Sequence, residues 1–301
     1  MPRLTAIVLG SAAGGGFPQW NCRCPVCRLA WAGDRRVKPR TQASLAISAN
    51  GEDWLLINAS PDLPEQLRRS PVLHPRGETR GSPITAVLLT GAEIDQVAGL
   101  LSLRERQAFT LCASSEALAV LQDNSVFGVL APDVVRRQTV ALGQPRALPG
   151  GLQAELFAVP GKVPLYLEGE NPETRSESTG TVGVELNANG ARLIYIPGAA
   201  AVTEVMRERM AGADVVFFDG TLFRDDEMIA TNTGTKTGQR MGHMSIDGPD
   251  GSLNALKALR SRRIYIHINN TNPILVEGSP EQSRVIGEGW EIAEDGLELT
   301  L

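Results

Sequence analysis

The chain has 301 residues, with 29 Lys+Arg against 34 Asp+Glu and a formal charge of −5 when histidines are neutral. Hydrophobic residues at 42% and charged residues at 21% allow a sizeable core and exclude disorder over most of the length. There is no run of about 18 apolar residues and no concentration of Lys and Arg able to neutralise a line of phosphates, so the expectation is a cytoplasmic protein with no membrane span, no signal peptide and no nucleic-acid partner.

In chain order, the first strand is expected over Leu4 to Gly10. It runs into Ser11-Ala-Ala-Gly14-Gly15-Gly16-Phe-Pro-Gln-Trp20-Asn-Cys22. A strand followed by glycines opens many dinucleotide folds, but here no amphipathic helix follows and no acidic residue ends a second strand about 20 positions later. The glycines are read as letting the backbone pass close to a metal or substrate. Strands Ala43 to Ser48 and Trp54 to Asn58 flank Asn50-Gly51, a hairpin signal. Asn58-Ala-Ser60-Pro61-Asp62 reads as a cap leading into a helix, Leu63 to Arg69.

A Pro/Gly/Arg loop over 70 to 83 precedes a buried strand, Ile84 to Thr90, a polar turn, Gly91 to Gln96, and an apolar stretch, Val97 to Leu103. A strand Phe109 to Ala113, a helix Ser115 to Gln122 and strands near Gln138 to Leu142 and Leu152 to Val159 follow. The second half keeps to this pattern. Thr181 to Leu186 pairs with Arg192 to Ile196 across Asn187-Ala-Asn-Gly190, Thr203 to Met210 is helical, and Val215 to Phe218 is a continuous apolar strand ending in Asp219-Gly220. A helix Gly251 to Leu259, a strand Ile264 to His267, a last helix and a terminal hairpin within Trp290 to Leu301 complete the chain. Hairpins in each half, interleaved helices and the lack of a Pro/Ser linker predict one α/β domain over 1–301, two packed sheets covered by helices.

The chemistry is concentrated in few residues. There are four cysteines, too few for a disulfide framework in a chain of this length. Three of them form Cys22-Arg-Cys24-Pro-Val-Cys27, and thiolates at i, i+2 and i+5 on a loop can converge on one tetrahedral Zn²⁺ of structural type, leaving a fourth place for another ligand. A redox Cys-x-x-Cys role fails on context, because no βαβ unit precedes it. Carboxylates stand near strand ends at Asp95 and Asp219, and His267 ends a strand, positions where a scaffold holds side chains that solvent and substrate can reach.

The strand, Thr90-x-x-x-x-Asp95-x-x-x-Gly99-Leu, the later strand-end Phe-Asp219-Gly-Thr and the strand ending in His267 resemble the metallo-β-lactamase superfamily, whose His-x-His-x-Asp-His motif builds a metal site. Within it the chain resembles the coenzyme PQQ synthesis B family. The resemblance covers essentially the whole length through Leu9-Gly-Ser-Ala-Ala-Gly-Gly-Gly16, Pro18-Gln-Trp-Asn-Cys-Arg-Cys24, Asn58-Ala-Ser-Pro-Asp62, Gly99-Leu-Leu-Ser-Leu-Arg-Glu105, Gly234-Thr-Lys-Thr-Gly238, Met241-Gly-His243 and His267-Ile-Asn-Asn-Thr-Asn-Pro273. It implies a four-layer αββα sandwich and a role in making pyrroloquinoline quinone (PQQ) from the PqqA peptide, whose Glu and Tyr have been cross-linked by earlier enzymes. The implied chemistry is an iron-dependent, O₂-using hydroxylation of the tyrosine ring, with the Cys loop holding structural zinc and other proteins of PQQ synthesis as partners. An older reading makes such proteins carriers of PQQ.

On the superfamily motif, Gly91 and Glu93 occupy the first two histidine positions, Asp95 the aspartate, and Gln96 the histidine after it. A dinuclear zinc hydrolase wants about five histidines, and this chain has only His74, His243 and His267, so hydrolase chemistry is disfavoured. One Fe²⁺ held by Asp95, Asp219 and His267, with Gln96 a weak neutral donor, remains as the expected catalytic metal. His267 has an alternative as the fourth zinc ligand, with Asn269 or Asn270 then entering the pocket. His243 is expected to orient substrate or move a proton, and His74 to be a surface residue. Glu93, Arg104, Asn269 and Asn270 are candidate cofactor-binding residues, and a carrier would hold the carboxylates of PQQ with Arg104, Lys236 or Arg240.

Overall fold

Apolar runs bounded by turns become the strands of two seven-stranded sheets in the computed structural model, which describes residues 3–161, 166 and 177–301. The first sheet is laid down in sequence as β1 (Thr5–Gly10), β2 (Ser44–Ser48), β3 (Trp54–Ile57), β4 (Ile84–Leu88), β5 (Phe109–Ala113) and β6 (Val135–Thr139). The second follows as β7 (Arg146–Ala147), β8 (Gln153–Pro160), β9 (Glu177–Ala188), β10 (Ala191–Ile196), β11 (Val215–Asp219), β12 (Arg262–Ile266) and β13 (Trp290–Ile292). The last strand, β14 (Glu298–Thr300), crosses back to pair antiparallel with β1.

The expected terminal hairpin is therefore corrected: β13 lies parallel to β12 in one sheet and β14 against β1 in the other. Each short segment completes the open edge of a longer strand, which satisfies backbone groups that two three-residue strands alone would leave weakly paired. The two hairpins signalled by Asn-Gly turns do form, β2 with β3 and β9 with β10. Gly51 at φ 76° and the pair Asn189 (φ 54°) and Gly190 (φ 86°) supply the left-handed backbone such turns require.

Side chains alternate across both sheets. Leu45 and Ile47 of β2 meet Val215 and Phe217 of β11 in the core between the sheets, while Ala46 faces one outer layer and Val216 and Phe218 the other. These strands are apolar on both faces because both faces are covered, which explains their continuous hydrophobic runs. The outer face of the first sheet packs against α2 (Leu63–Arg69) and α4 (Ser115–Asp123) through Leu63, Ala117 and Leu121. Between these in sequence lies the one-turn α3 (Ile94–Val97), which takes up the second half of the expected polar turn, Gly91 to Gln96, and the first residue of the apolar stretch. The second sheet is covered by α5 (Glu204–Ala211) and α9 (Pro280–Gly287) through Met206, Met210 and Val285, and by α1 (Pro25–Trp31) through Val26. The result is the four-layer αββα sandwich, with each fully buried aliphatic side chain contributing about 1.5–3 kcal/mol.

Short helices α6 (Glu227–Ala230), α7 (Gly238–Met241) and α8 (Ser252–Ala255) carry the loops after β11. The helix expected over Gly251 to Leu259 is thus one turn. Leu256 leaves helical geometry at φ −113°, ψ 16° and is buried, so packing overrides local propensity. Asp62 stands at the start of α2 without capping it; its carboxylate instead accepts from the backbone N–H and side-chain amide of Gln42 at 2.9 Å each. Because β11 and β12 are parallel neighbours in register at Asp219 and Ile266, the segments leaving them emerge side by side. That juxtaposition builds the site.

Candidate active site

Asp219, the last residue of β11, is fully buried and held at both oxygens: Thr221 N–H donates to Oδ1 at 3.0 Å and Ala199 N–H to Oδ2 at 2.9 Å. His243 Nδ1 is 2.8 Å from Asp219 Oδ2. His267, directly after β12, adopts a left-handed backbone at φ 58° that turns the chain back over the strand ends. Its Nε2 lies 2.9 Å from Asp95 Oδ2. The Thr221 hydroxyl is the hub, 2.6 Å from Asp219 Oδ1, 2.9 Å from His267 Nδ1 and 3.1 Å from His243 Nδ1.

One donor atom each from Asp219, His243 and His267 lies within 4.8 Å of the others; His243, expected to orient substrate or move a proton, joins this group, whereas Asp95, expected among the metal ligands, is outside it and bonded to His267 Nε2. Burial alone would push the Asp95 and Asp219 carboxyls up. It is outweighed for Asp95 by the hydrogen bond and charge of His267, and for Asp219 by the charge and hydrogen bond of His243, so both sit below the usual carboxylate range. For His267 burial disfavours the cation, but its bond to Asp95 and the surrounding carboxylates win and raise its pKa. These carboxylate–imidazole contacts pre-arrange oxygen and nitrogen donors around one point, and the set fits a divalent transition metal.

His243, His267 and Thr221 line a cavity of about 520 Å³ whose wall also includes Gly14, Glu93, Asp95, Gln96, Lys236 and Asn269. His267 and Asn269 reach it from the run His267 to Asn272, a strap tied down along its length. Ile268 exchanges backbone hydrogen bonds with the glycine loop at Ser11 and Ala13, and Asn272 Nδ2 donates to Gly220 O at 2.9 Å. Next to Asn269, the Asn270 amide turns the other way and donates to Cys22 Sγ at 3.1 Å and Cys27 Sγ at 3.3 Å.

The Cys22, Cys24 and Cys27 sulfurs also lie within 4.8 Å of one another and are buried. Hydrogen bonding between Cys24 and Cys27 drives the two thiols apart in acidity, Cys24 up and Cys27 down, as crowded sulfurs competing for protons do. Replacing those protons by one soft-tolerant cation satisfies all three, so the cluster fits Zn²⁺. Asn270 fills the fourth side of the cluster; His267 does not reach it, being engaged with Asp95 and Thr221.

The remaining expected residues divide. Gln96 lines the cavity, but both ends of its amide are committed: Oε1 accepts from Glu93 N–H at 3.1 Å and Nε2 donates to Thr90 Oγ1 at 3.2 Å, closing a reciprocal cap on α3. Glu93 is the other half of that cap and lines the cavity. Arg104 is not brought to the site; it ends the apolar 98–103 turn with its side chain in solvent beside Glu105. His74 is exposed, as expected, its Nε2 3.0 Å from Arg68 O. Thr221 was missed, although a Thr two residues after a strand-end Asp is a side-chain-to-backbone turn signal. Glu227 was missed as well. It is almost fully buried, and burial pushes its carboxyl up to about 7.

Comparison with known proteins places this geometry. Residues 53–268 match the β-lactamase superfamily domain. Coenzyme PQQ synthesis protein B of Methylorubrum extorquens AM1 is 55% identical over 296 residues, 98% of this chain and 99% of that protein. The Rhizobium meliloti protein of the same name is 53% identical, covering 99% of this chain and 98% of its own. The crystal structure of Zn²⁺-bound PqqB from Methylobacterium extorquens superposes with a TM-score of 0.97 at 55% identity, over 99% of this chain and 100% of that one. A diphosphatase of the PhnP family, 20% identical with a TM-score of 0.68, shares the fold over 99% of this chain and 98% of its own. The chain belongs to the coenzyme PQQ synthesis protein B family of the β-lactamase superfamily.

Proposed function

We propose that the protein is a metal-dependent enzyme of PQQ biosynthesis that hydroxylates the tyrosine ring of the cross-linked Glu–Tyr precursor, using Fe²⁺ and O₂. The observation that carries this reading is the convergence of one carboxylate and two imidazoles, the buried Asp219 with His243 and His267, the two histidines lining a cavity large enough for that ligand. Two histidines and a carboxylate with open positions are the donor set of non-haem Fe(II) oxygenases. When bound there, Fe²⁺ supplies the redox-active centre at which O₂ and the ring are brought together.

This chain's own residues do the rest. Asp219 is held by two backbone N–H groups, so its oxygens cannot turn away, and Thr221 fixes the rings of His243 and His267. Asp95 stands against His267 with its carboxylate ionised and is placed to take a proton at Oδ2. Lys236 in the cavity wall is suited to a carboxylate of the ligand. The Cys22, Cys24 and Cys27 cluster holds Zn²⁺, the metal of the M. extorquens PqqB structure, and keeps the glycine loop and the strap in place.

One atom of O₂ enters the ring; the other leaves as water with two protons and two electrons, given by ascorbate in the assay. Protein loaded with Fe²⁺ and supplied with the cross-linked Glu–Tyr compound, ascorbate and ¹⁸O₂ should return product one ¹⁸O heavier. A product without the label, or none with iron bound, contradicts the reading. The carrier reading draws on Lys236 and on the missing imidazoles at Gly91 and Glu93. It gains if metal-free protein binds PQQ at micromolar concentration and the iron-loaded protein converts nothing.

A further inference from the structure

Beside the metal group lies a buried polar relay to which no role has been given. The Glu227 carboxylate accepts from Phe223 N–H through Oε2 at 2.8 Å and from the Thr271 hydroxyl through Oε1 at 2.6 Å. Thr271 Oγ1 is in turn 2.6 Å from Asn269 Nδ2, which also touches Met228 Sδ at 3.2 Å. Glu227 is 6% and Thr271 2% exposed, so water does not compete with these bonds. A hydroxyl has one hydrogen. Given to the carboxylate, it leaves Thr271 able only to accept toward Asn269, so the amide must present its NH₂ to Thr271. The Asn269 oxygen then has no partner among the described residues, and Asn269 lines the cavity.

We propose that Glu227 is a positioning residue that acts through Thr271 to fix the Asn269 carboxamide as a hydrogen-bond acceptor for the ring hydroxyl of the ligand. This rests on the tyrosine-ring reading above and adds how the ring is recognised. Asn269 is placed for the reacting end of the ligand because its N–H is bonded to Thr221 O at 3.0 Å, and Thr221 is the residue that touches Asp219, His243 and His267. An amide locked with its oxygen outward accepts from a hydroxyl and has no donor for the oxygen of an aryl ether. The relay thus converts a buried charge into a preference between two otherwise similar ligands.

The test uses the zinc- and iron-loaded protein without O₂ at pH 8.5, where Glu227 is ionised. The cross-linked Glu–Tyr compound and its aryl methyl ether are titrated by calorimetry. The wild type should favour the hydroxyl compound about tenfold, the worth of one well-made hydrogen bond in a buried site. Thr271→Val and Glu227→Gln should each bring the two affinities to within about twofold, and Thr271→Ser should restore the preference, with zinc and iron content unchanged in all three. If Thr271→Val is too unstable to purify, Glu227→Gln alone decides. A preference that persists in both variants, or an equal loss of affinity for both compounds, overturns the relay and leaves the tyrosine-ring reading standing. A wild type that binds neither compound overturns that reading and this inference with it.

Discussion

His243 and His267 lie stacked, with ring centroids 5.4 Å apart and 20° between their planes. The surrounding carboxylates favour a proton on His267, and a cation binding there takes that proton's place. The stack is held in place by the Thr221 hydroxyl, within 3.1 Å of Nδ1 of both.

Thr221→Val, of the same shape without the hydroxyl, should weaken Fe²⁺ binding by about 10- to 100-fold, the usual effect of removing an orienting bond to a metal-ligating histidine. Zinc content should stay at the wild-type value. Competition with a chelator of known affinity measures the first, and elemental analysis the second. Unchanged iron affinity would remove Thr221 from the account.

Cys27→Ser breaks the thiol set and releases the Asn270 amide bonded to it. Zinc should be lost, and the protein should remain folded but unfold at a temperature lower by roughly 5–10 °C, since about 2 to 4 °C follow each kcal/mol in a domain of this size. Iron binding should weaken too, because Asn270 and His267 belong to one strap. Differential scanning fluorimetry with metal analysis checks all three.

Gly99 sets the height of the turn that follows α3. A Cβ there would lie 2.1 Å from Ser60 O, a backbone atom that cannot move aside cheaply. Gly99→Ala should therefore cost about 1–3 kcal/mol by overpacking and shift α3 with Asp95 on it, so a denaturant midpoint and the iron affinity should fall together.

Glu185 sits between Arg192, at 2.8 Å, and Arg209, at 3.1 Å, on the outer face of the second sheet. Burial pushes its carboxyl up, but the hydrogen bonds from Arg192 and Asn187 and the charges of both arginines prevail and hold it below the ordinary 4.5. A carboxyl depressed in the folded state stabilises fully above its unfolded pKa and loses that contribution as pH falls through the folded value. Glu185→Gln should lower stability at pH 7 by about 1 kcal/mol, given solvent screening, and the gap to wild type should narrow progressively as pH falls below the ordinary 4.5. Urea melts at pH 7, 5 and 3.5 measure it; a gap independent of pH would contradict the assignment.

Local signals read well from sequence where the physics is local. Asn50-Gly51 and Asn189-Gly190 demand a left-handed backbone, and the hairpins are there. The doubly apolar runs at Ile84 and Val215 need cover on both faces, and the four layers provide it. What escaped was long-range. No periodicity says that β13 and β14 part company into different sheets, because strand pairing depends on which edges are open after the rest has folded. Cys22, Cys24 and Cys27 announce themselves by spacing, but that Asn270 and not His267 faces them follows from the turn at His267, and positive φ is uncommon enough at any non-glycine residue that the sequence does not announce it. The Glu227–Thr271–Asn269 relay joins residues that are individually ordinary and become a unit only when α6 meets the strap.

The central claim is that Asp219, His243 and His267 hold one Fe²⁺, separate from a zinc on the cysteines. The most direct measurement is the zinc and iron content per chain of wild type and His243→Ala, purified and reconstituted with Fe²⁺ in the absence of O₂. The account predicts one zinc and one iron in the wild type, and one zinc with iron lost in the variant. Iron retained at full stoichiometry in His243→Ala, or a wild type that takes up zinc alone, would contradict it.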